Sequence, residues 1–308
     1  KLKLLAEKTA VSPRRPAPDS DLTVPSAPAP TQAGKPDTLI LTPEAAPEVL
    51  PVSGQRPPGI GWQIAGLTDV GLKRELNEDS FLMVESTTPD GIPYGLYVVA
   101  DGLGGHQSGE IASQLTIEAI LHHFQQHPIQ SPADRFDEWL TQAAHEANRA
   151  VLARQADQPE GRKMGSTVVM ALVIEGQAHI ANVGDSRAYL LTHADIDQIS
   201  EDHSLVERLV QIGQLTRDEA RRHKNRNVLY NTIGDRPEMD VGLYQTPLQP
   251  GDRLLLCSDG LSGMVTDEEI LTISQNQPDP AKACQSLVRA AKSAGGSDNI
   301  TVIIVQVR

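Results

Sequence analysis

The chain has 308 residues, a formal net charge of −13 at pH 7, 22 prolines and two cysteines. Residues 59–308 carry 20 basic and 34 acidic side chains, and so acidic a segment argues against nucleic acid as a partner. Two cysteines cannot form a disulfide framework, and they are typical of a reduced, cytoplasmic protein.

The first 58 residues predict a disordered linker. They hold 12 of the 22 prolines, are rich in Ala, Ser and Thr, and show no sustained apolar period, so they cannot bury enough surface to offset ordering entropy. The apolar start, Lys1 to Leu5, is too short and too charged for a signal peptide or a membrane span. Because the first residue is Lys rather than Met, we expect a fragment with a missing upstream part. Residues 59–308 are long enough for one large domain.

Apolar patterns over residues 59–308 predict both strands and helices. The expected strands lie near 62–68, 79–85, 95–100, 166–174, 177–183, 187–192, 252–257 and 299–307. The expected helices lie over 108–126, 134–156, 203–213, 216–223, 266–275 and 280–293. This periodicity by itself indicates an α+β domain and no particular topology.

Acidic residues recur where these strands begin or end. A buried carboxylate is unfavourable without a partner, and glycines beside several of them would let backbone carbonyls approach a bound ion. Any single Asp-Gly is most often an ordinary turn, but the repetition favours a shared cation site. The residues concerned are Glu78, Asp79, Asp101, Asp185, Asp259 and Asp298.

The ligand type indicates which metal would bind. All the candidates are oxygen donors, and the chain has neither a zinc-like Cys spacing nor an HExxH motif. Oxygen-rich sites favour Mg²⁺ or Mn²⁺; Ca²⁺ is the rival, although no contiguous EF-hand-type loop is present. Two such ions sharing a carboxylate would lie ~3.5–4 Å apart and could activate water for attack on phosphorus.

Other phosphate chemistries lack their signatures. A cysteine-based phosphatase needs Arg six positions after the nucleophile, where Gly263 follows Cys257 and Ala290 follows Cys284. No Walker-type phosphate loop occurs. The Gly102-Leu103-Gly104 turn lacks the third glycine of a dinucleotide fingerprint, since Gln107 occupies that position.

The ordered set of motifs resembles the metal-dependent protein phosphatases, the PP2C or PPM family, in the spacing of its bacterial single-domain members. The resemblance covers residues 60–308. Each motif alone is weak, whereas the whole series in order is specific. The motifs are Arg74-x-x-Asn77-Glu78-Asp79, Asp101-Gly-x-Gly-Gly-His106, Gly165-Ser166-Thr167, Gly184-Asp185-Ser186-Arg187, Asp202-His203-Ser204, Ser258-Asp259-Gly260 and Asp298-Asn299.

The resemblance implies a binuclear Mg²⁺ or Mn²⁺ centre. Asp101 would bridge the two ions and the Gly102 carbonyl would bind one of them. Asp259 and Asp298 would complete the first site. The remaining implied ligands are Asp79 and Glu78, acting through metal-bound water, and Asp185, which with Asp259 would hold a third, weaker ion.

Two further roles follow from the resemblance. Arg74 matches the phosphate-binding arginine, since guanidinium can grip two phosphate oxygens; otherwise it is a surface salt-bridging residue. His106 matches the general acid for the leaving alkoxide; otherwise it only fits the turn before a helix. Asn299 is expected to position neighbours rather than bind metal.

The implied fold is a central sandwich of two mainly antiparallel sheets flanked by helices on both sides, with a flap subdomain at about 203–247. The basic run from Arg221 to Arg226 either steers phosphorylated substrates or is a solvated face.

We therefore expect a monomeric, cytoplasmic serine/threonine phosphatase of signal transduction, acting on phosphorylated proteins without nucleic-acid or membrane partners. The alternative is a catalytically silent phosphatase-like module that binds a phosphoprotein or regulator. An inactive relative should have lost an aspartate or the arginine, and this chain retains them all.

Overall fold

The structure is a computed structural model that describes residues 38–41, 61–104, 108–157 and 163–308, with residues 38–41 described by their backbone alone. Its strands are β1 (Thr38–Leu41), β2 (Trp62–Asp69), β3 (Asp79–Thr87), β4 (Pro93–Leu103), β5 (Gly165–Ser166), β6 (Val168–Ile174), β7 (Gln177–Val183), β8 (Arg187–Leu191), β9 (Ile196–Gln198), β10 (Gly242–Pro247), β11 (Arg253–Cys257) and β12 (Ile300–Val307). Its helices are α1 (Ser108–Gln126), α2 (Phe136–Ala156), α3 (Leu205–Gln211), α4 (Arg217–Arg222), α5 (Asp259–Ser262), α6 (Asp267–Gln275) and α7 (Pro280–Ser293).

The strands form two antiparallel sheets. The first has the order β1-β3-β4-β6-β7-β10, with β5 paired to β4, and the second has the order β2-β12-β11-β8-β9. An apolar layer fills the space between them, with Phe81, Tyr97 and Val99 from the first sheet and Leu254 and Ile303 from the second. The predicted α+β class and the central sandwich are therefore confirmed.

Helices cover the outer face of each sheet. α1 packs on β3 and β4 and α2 packs on β7, while α7 packs on β2 and β12. Two further apolar clusters lie beneath these helices. The four layers explain why the strands have apolar residues on both faces.

β4 illustrates how the sequence encodes this arrangement. Side chains alternate along a strand, so Leu96 and Val98 face α1 and α2 while Tyr97 and Val99 face the second sheet. With both faces covered, the strand has a continuous apolar run. That run ends at Asp101, where the sheet reaches the edge of the core.

The predicted elements occur close to their expected positions, with some differences. β9, β10 and the short helix α5 were not predicted. β10 lies inside the range expected for the flap but pairs with β7 from Gly242↔Asn182 to Pro247↔Gln177. It is an edge strand with one exposed face, so its apolar signal is weak. The helices within the range predicted for the flap are α3 and α4.

The N-terminal segment contributes one strand. β1 falls within the predicted linker and pairs antiparallel with β3, from Thr38↔Val84 to Leu41↔Phe81. The remaining predicted linker residues, 1–37 and 42–58, lie outside the described residues. Within the part of the chain that the structure describes, no helix combines the length and apolar character needed to cross a membrane.

Candidate metal centre

The centre begins with two acidic residues on neighbouring strands. Asp79 starts β3 and lies directly opposite Asp101 on β4. Like charges at such positions repel each other, and removing them from water is unfavourable as well. Burial raises the pKa of Asp101 well above its ordinary value, and the charge of Asp79 raises it further. A bound cation would favour the ionised form of both groups.

Two hydroxyl groups of the second sheet hold Asp79. Ser258 Oγ donates to Asp79 Oδ2 at 2.8 Å, and Thr301 Oγ1 donates to the same oxygen at 2.6 Å. Asp79 Oδ1 is buried and has no hydrogen-bond partner. Burial raises the pKa of Asp79 to about 7, although the two hydroxyl groups oppose the shift. Oδ2 of Asp79 thus links the two sheets, and Oδ1 is available to bind a metal ion or water.

The second sheet supplies two more carboxylates. Asp259 comes directly after Ser258 at the end of β11, and Asp298 lies just before β12, its antiparallel neighbour. Burial raises the pKa of Asp259 to about 6, and nearby Asp298 adds to the shift. A side-chain hydrogen bond between Asp259 and Asp101 acts in the opposite direction. This bond brings carboxyl groups of the two sheets into contact.

Arg74 bridges two acidic side chains at the rim. Its Nη2 donates to Asp298 Oδ2 at 2.7 Å, and its Nη1 lies 3.5 Å from Glu78 Oε2. The Arg74 side chain is 45% exposed, so part of the guanidinium faces solvent. Glu78 Oε1 is buried without a partner, and burial raises the pKa of Glu78.

Asn299 fixes the loop that carries Arg74 and Glu78. Its Nδ2 donates to the carbonyl oxygens of Val70 at 3.0 Å and Leu76 at 2.9 Å. Its Oδ1 accepts the backbone N–H of Glu78 at 2.8 Å. Asn299 therefore has the positioning role expected from the sequence.

Close backbone contacts make glycine necessary at Gly102. A Cβ there would lie 2.0 Å from the Gly109 carbonyl oxygen and 2.6 Å from that of Glu78. The Gly102 N–H donates to the same Glu78 oxygen at 3.0 Å. The first turn of α1 therefore rests against the end of β4, beside Asp101.

The Gly165-Ser166-Thr167 motif fixes the backbone of Asp101. The Thr167 N–H and Ser166 Oγ both donate to the Asp101 carbonyl oxygen, at 2.8 and 3.0 Å. The Asp101 N–H donates to Thr167 Oγ1 at 3.1 Å. The backbone of Asp101 is thus fixed by Ser166 of β5 and by Thr167, which lies between β5 and β6.

Asp185 extends the acidic group toward the flap. It follows β7, and burial raises its pKa well above the ordinary value, with the charges of Asp259 and Asp202 adding to the shift. The charge of Arg187 opposes this shift, but its guanidinium binds both oxygens of Asp202, with Nε 2.9 Å from Oδ1 and Nη2 2.6 Å from Oδ2.

A cleft of about 390 Å³ opens between the acidic centre and helices α3 and α4. Asp185 and Asp259 form part of one wall. The facing residues include the basic side chains Arg217, Arg221 and Arg226. Arg221 is held in place, since it donates to the Ser262 and Val265 carbonyl oxygens and to Asp267. The basic run therefore lies beside the centre and not on a remote surface.

These residues fit hard divalent cations. All donors are oxygens, two buried carboxylate oxygens lack partners, and the carboxylates raise one another's pKa values. No three of them bring ligand atoms within 4.8 Å of one another. Mg²⁺ is commonly held by one or two carboxylates and several waters, so this looser arrangement suits Mg²⁺ or Mn²⁺ better than a compact zinc site.

Comparison with known proteins agrees with this geometry. The family profile described as Protein phosphatase 2C matches residues 73–295. The chain belongs to the protein phosphatase 2C family. It is 34% identical over 239 residues to the serine/threonine phosphatase Stp of Listeria monocytogenes, which covers 78% of this chain and 93% of that protein. The resemblance found in the sequence is confirmed, and the chain is a serine/threonine protein phosphatase.

Solved phosphatase structures share the fold. Stp1 from Staphylococcus aureus is 32% identical with a TM-score of 0.74, over 81% of this chain and 96% of that one. The catalytic domain of PstP, solved in complex with two manganese ions, is 34% identical with a TM-score of 0.68, over 80% and 98% of the respective chains.

The structure of this PP2C family member brings most of the predicted residues together. Arg74 contacts Glu78 and Asp298, Asp79 faces Asp101, and Asp101 is hydrogen-bonded to Asp259. Asp185 is close enough to Asp259 for their charges to interact. His106 lies outside the described residues, so its predicted catalytic role stays a prediction. The assignment of each residue as a ligand is likewise a prediction.

Sequence reasoning did not assign roles to Ser258 and Thr301. Both donate to Asp79, and both are fully buried. Thr301 has a detectable signal, since it is an isolated hydroxyl in the otherwise apolar run from Ile300 to Val305. Ser258 directly precedes Asp259 at the end of an apolar strand. A buried hydroxyl beside a predicted ligand is a useful indicator of a supporting hydrogen bond.

Proposed function

We propose that this chain hydrolyses phosphoserine and phosphothreonine in proteins, with two Mg²⁺ or Mn²⁺ ions in the acidic centre. Asp101, the Gly102 carbonyl, Asp259 and Asp298 would be direct ligands. Asp79 and Glu78 would act through water, and Asp185 would hold a third, weaker ion with Asp259. The observation that carries the proposal is that acidic side chains of both sheets lie close together: Asp79 is directly opposite Asp101 and is held by Ser258 and Thr301, and its Oδ1 is buried without a partner.

Arg74 is the residue proposed to bind the substrate phosphate. It lies at the rim, half-exposed, and its contact with Asp298 uses one of its two terminal nitrogens at short range. Guanidinium has five N–H donors in a planar fork. Arg74 can therefore keep its contact with Asp298 and still donate to phosphate oxygens.

Hydrolysis of a phosphate monoester requires a nucleophile, charge neutralisation and a proton for the leaving oxygen. Bound divalent ions would supply Lewis-acid activation of water and neutralise the phosphate. Asp79 and Asp101 would become ionised on loading, since their raised pKa values reflect burial and mutual repulsion. His106 is proposed to protonate the leaving alkoxide; in the sequence it follows Asp101 by five positions and precedes Ser108, the first residue of α1.

The setting of the enzyme is also proposed. A cytoplasmic location fits the two buried, unpaired cysteines, Cys257 and Cys284, because such thiols persist in reducing compartments. The acidic charge of the folded region disfavours anionic nucleic acid and membrane surfaces. We propose a monomeric catalytic domain, which the mass in solution at micromolar concentration tests. The PstP structure with two manganese ions makes Mn²⁺ the first ion to test.

The decisive experiment follows hydrolysis of an aryl phosphate and a phosphothreonine peptide by the metal-depleted protein. We expect activity on adding Mn²⁺ or Mg²⁺, complete loss with EDTA, and no activity in Asp101→Asn. Turnover that persists in EDTA would exclude the metal mechanism. Binding of the phosphopeptide without turnover at saturating metal would indicate the silent binding module.

A further inference from the structure

A second group of metal-binding side chains lies on the helices that cover the first sheet. His123 and His127 are four residues apart at the C-terminal end of α1, so they lie on one face of the helix. The His127 N–H donates to the His123 carbonyl oxygen at 2.9 Å, which extends the helical geometry past Gln126. Glu146, on the adjacent helix α2, faces the same pair.

These three side chains are already close. Each offers one ligand atom, and the three atoms all lie within 4.8 Å of one another. His123 Nδ1 is 3.2 Å from Glu146 Oε2. Ligand atoms on one tetrahedral zinc ion are about 3.3 Å apart, given zinc–ligand bonds of roughly 2.0–2.1 Å. The distance between His123 Nδ1 and Glu146 Oε2 therefore already suits two ligands of one zinc ion. Small side-chain rotations would bring a His127 ring nitrogen to the same distance.

His123 has a polar neighbour, Glu146, and the two form an ion pair only when the imidazole is protonated. The His123 side chain is 1% exposed, and neither ring nitrogen makes a hydrogen bond of acceptable geometry, despite the nearby Glu146 oxygen. A buried imidazole that makes no well-formed hydrogen bond is unfavourable. A metal ion between His123 and Glu146 would satisfy it.

The surroundings hold the imidazoles in place and leave one side open. Trp139 of α2 packs edge-on against the His123 ring at 4.7 Å and donates from Nε1 to the His127 carbonyl oxygen at 2.8 Å. The His123 and His127 rings are 4.6 Å apart. His127 is exposed and Glu146 is partly exposed, so water or another small ligand can complete the coordination.

The donor set selects the metal. Two imidazoles and one carboxylate are typical zinc ligands, with an open fourth position. The set differs from the oxygen donors of the acidic centre, which suit Mg²⁺ and Mn²⁺. The nearby cation Arg149, whose Nη2 is 3.8 Å from Glu146 Oε1, is 67% exposed and can rotate away.

We propose that His123, His127 and Glu146 form a zinc site that joins the end of α1 to α2. The site is remote from the acidic centre, because His123 lies fifteen residues, about 22 Å of helix, from Ser108 at the other end of α1. Zinc bound there would fasten the two helices over the first sheet. Its effect would be on stability, with no ligand shared with the phosphatase centre.

The test measures zinc binding while excess Mg²⁺ occupies the acidic centre. Equilibrium dialysis of the full chain should give one zinc per protein, and X-ray absorption at the zinc edge should show imidazole ligands. His127→Gln and Glu146→Gln should each weaken binding at least about tenfold, as expected for losing a ligand. The exposed neighbour His122 provides the matched control: His122→Gln should bind like the wild type.

Thermal unfolding provides a second readout. Zinc at about 100 times its Kd should raise the wild-type Tm by roughly 5–10 °C. The shift should persist in His122→Gln and in Asp259→Asn, and disappear in His127→Gln. Equal zinc binding by wild type and His127→Gln, or loss of all zinc binding in Asp259→Asn, would overturn the proposal. These outcomes do not depend on phosphatase activity.

Discussion

Asp79 and Asp101 lie directly opposite each other across β3 and β4, at the end of a sheet whose other residues are mostly apolar. In an antiparallel pair of strands, two like charges directly opposite each other are destabilising. Here each carboxylate is also tied to the second sheet, Asp79 through Ser258 and Thr301, and Asp101 through Asp259. These contacts keep the two carboxylates close together despite their repulsion, and a bound cation would relieve that repulsion.

The first prediction concerns pH. The pKa of Asp79 is about 7 in the metal-free fold and about 3.9 in an unfolded chain. Between these values the folded state holds more protons, so the free energy of unfolding falls as pH rises. Tm measured in EDTA should therefore drop between pH 5.5 and 7.5, and less so in Asp79→Asn. Saturating Mn²⁺ should remove most of the drop. An identical slope in wild type and Asp79→Asn would contradict this assignment.

The second prediction is that Asp259→Ala removes at least 99% of turnover, about a hundredfold or more, because a direct ligand is lost. The fold should survive, since the change also removes a negative charge beside Asp298 and Asp101. Circular dichroism and Tm in EDTA check the fold, and hydrolysis of an aryl phosphate checks activity. Near-normal turnover at saturating Mn²⁺ would remove Asp259 from the ligand set.

The third prediction separates binding from chemistry at Arg74. Arg74→Ala should raise KM roughly tenfold or more, as expected for losing charge-assisted hydrogen bonds to phosphate, with a smaller effect on kcat. Arg74→Lys should recover part of the affinity, because it keeps the charge but not the planar fork. If KM is the same in the alanine variant and the wild type, Arg74 has only its structural contact with Asp298.

The sequence predicts the sandwich well because its strands are buried on both faces. The runs before Asp101 and Asp259 are continuous and apolar, and they end where the core ends. β10 cannot be predicted from such apolar runs, because it is an edge strand and its Leu243 is exposed. Nor can β1, because its four residues stand alone in a proline-rich segment.

The sequence predicts the candidate ligands of the site better than the hydrogen bonds that hold them in place. Aspartates at strand ends are visible in the sequence, and their order carries the family resemblance. The contact of Asp79 with Ser258 and Thr301 joins residues 179 and 222 positions apart. Such pairing depends on the packing of the two sheets, which local patterns do not encode. The His123 and Glu146 pair was missed for the same reason.

The fourth prediction follows from those hydroxyl groups. Ser258→Ala and Thr301→Val should each lower the apparent affinity for Mn²⁺ by about 10–100-fold, because they orient Asp79 without touching metal. Saturating Mn²⁺ should restore most of kcat, which distinguishes a positioning role from general damage. Ser113→Ala is the matched control, since this buried hydroxyl pairs with Ser80 instead. A kcat loss that excess metal does not recover would argue against this role.

The fifth prediction tests the close contact between β4 and α1. Gly102→Ala would place a Cβ 2.0 Å from the Gly109 carbonyl oxygen, so backbone must move and stability should fall by about 1–3 kcal/mol. Gly61→Ala is the control, because a Cβ there meets nothing within 4 Å and the change can slightly stabilise the chain through its unfolded state. Urea unfolding measures both. Since Gly102 adjoins Asp101, the destabilised variant should also require more Mn²⁺ for half-maximal activity. Equal stability of the two variants would show that α1 can shift away from β4 without loss.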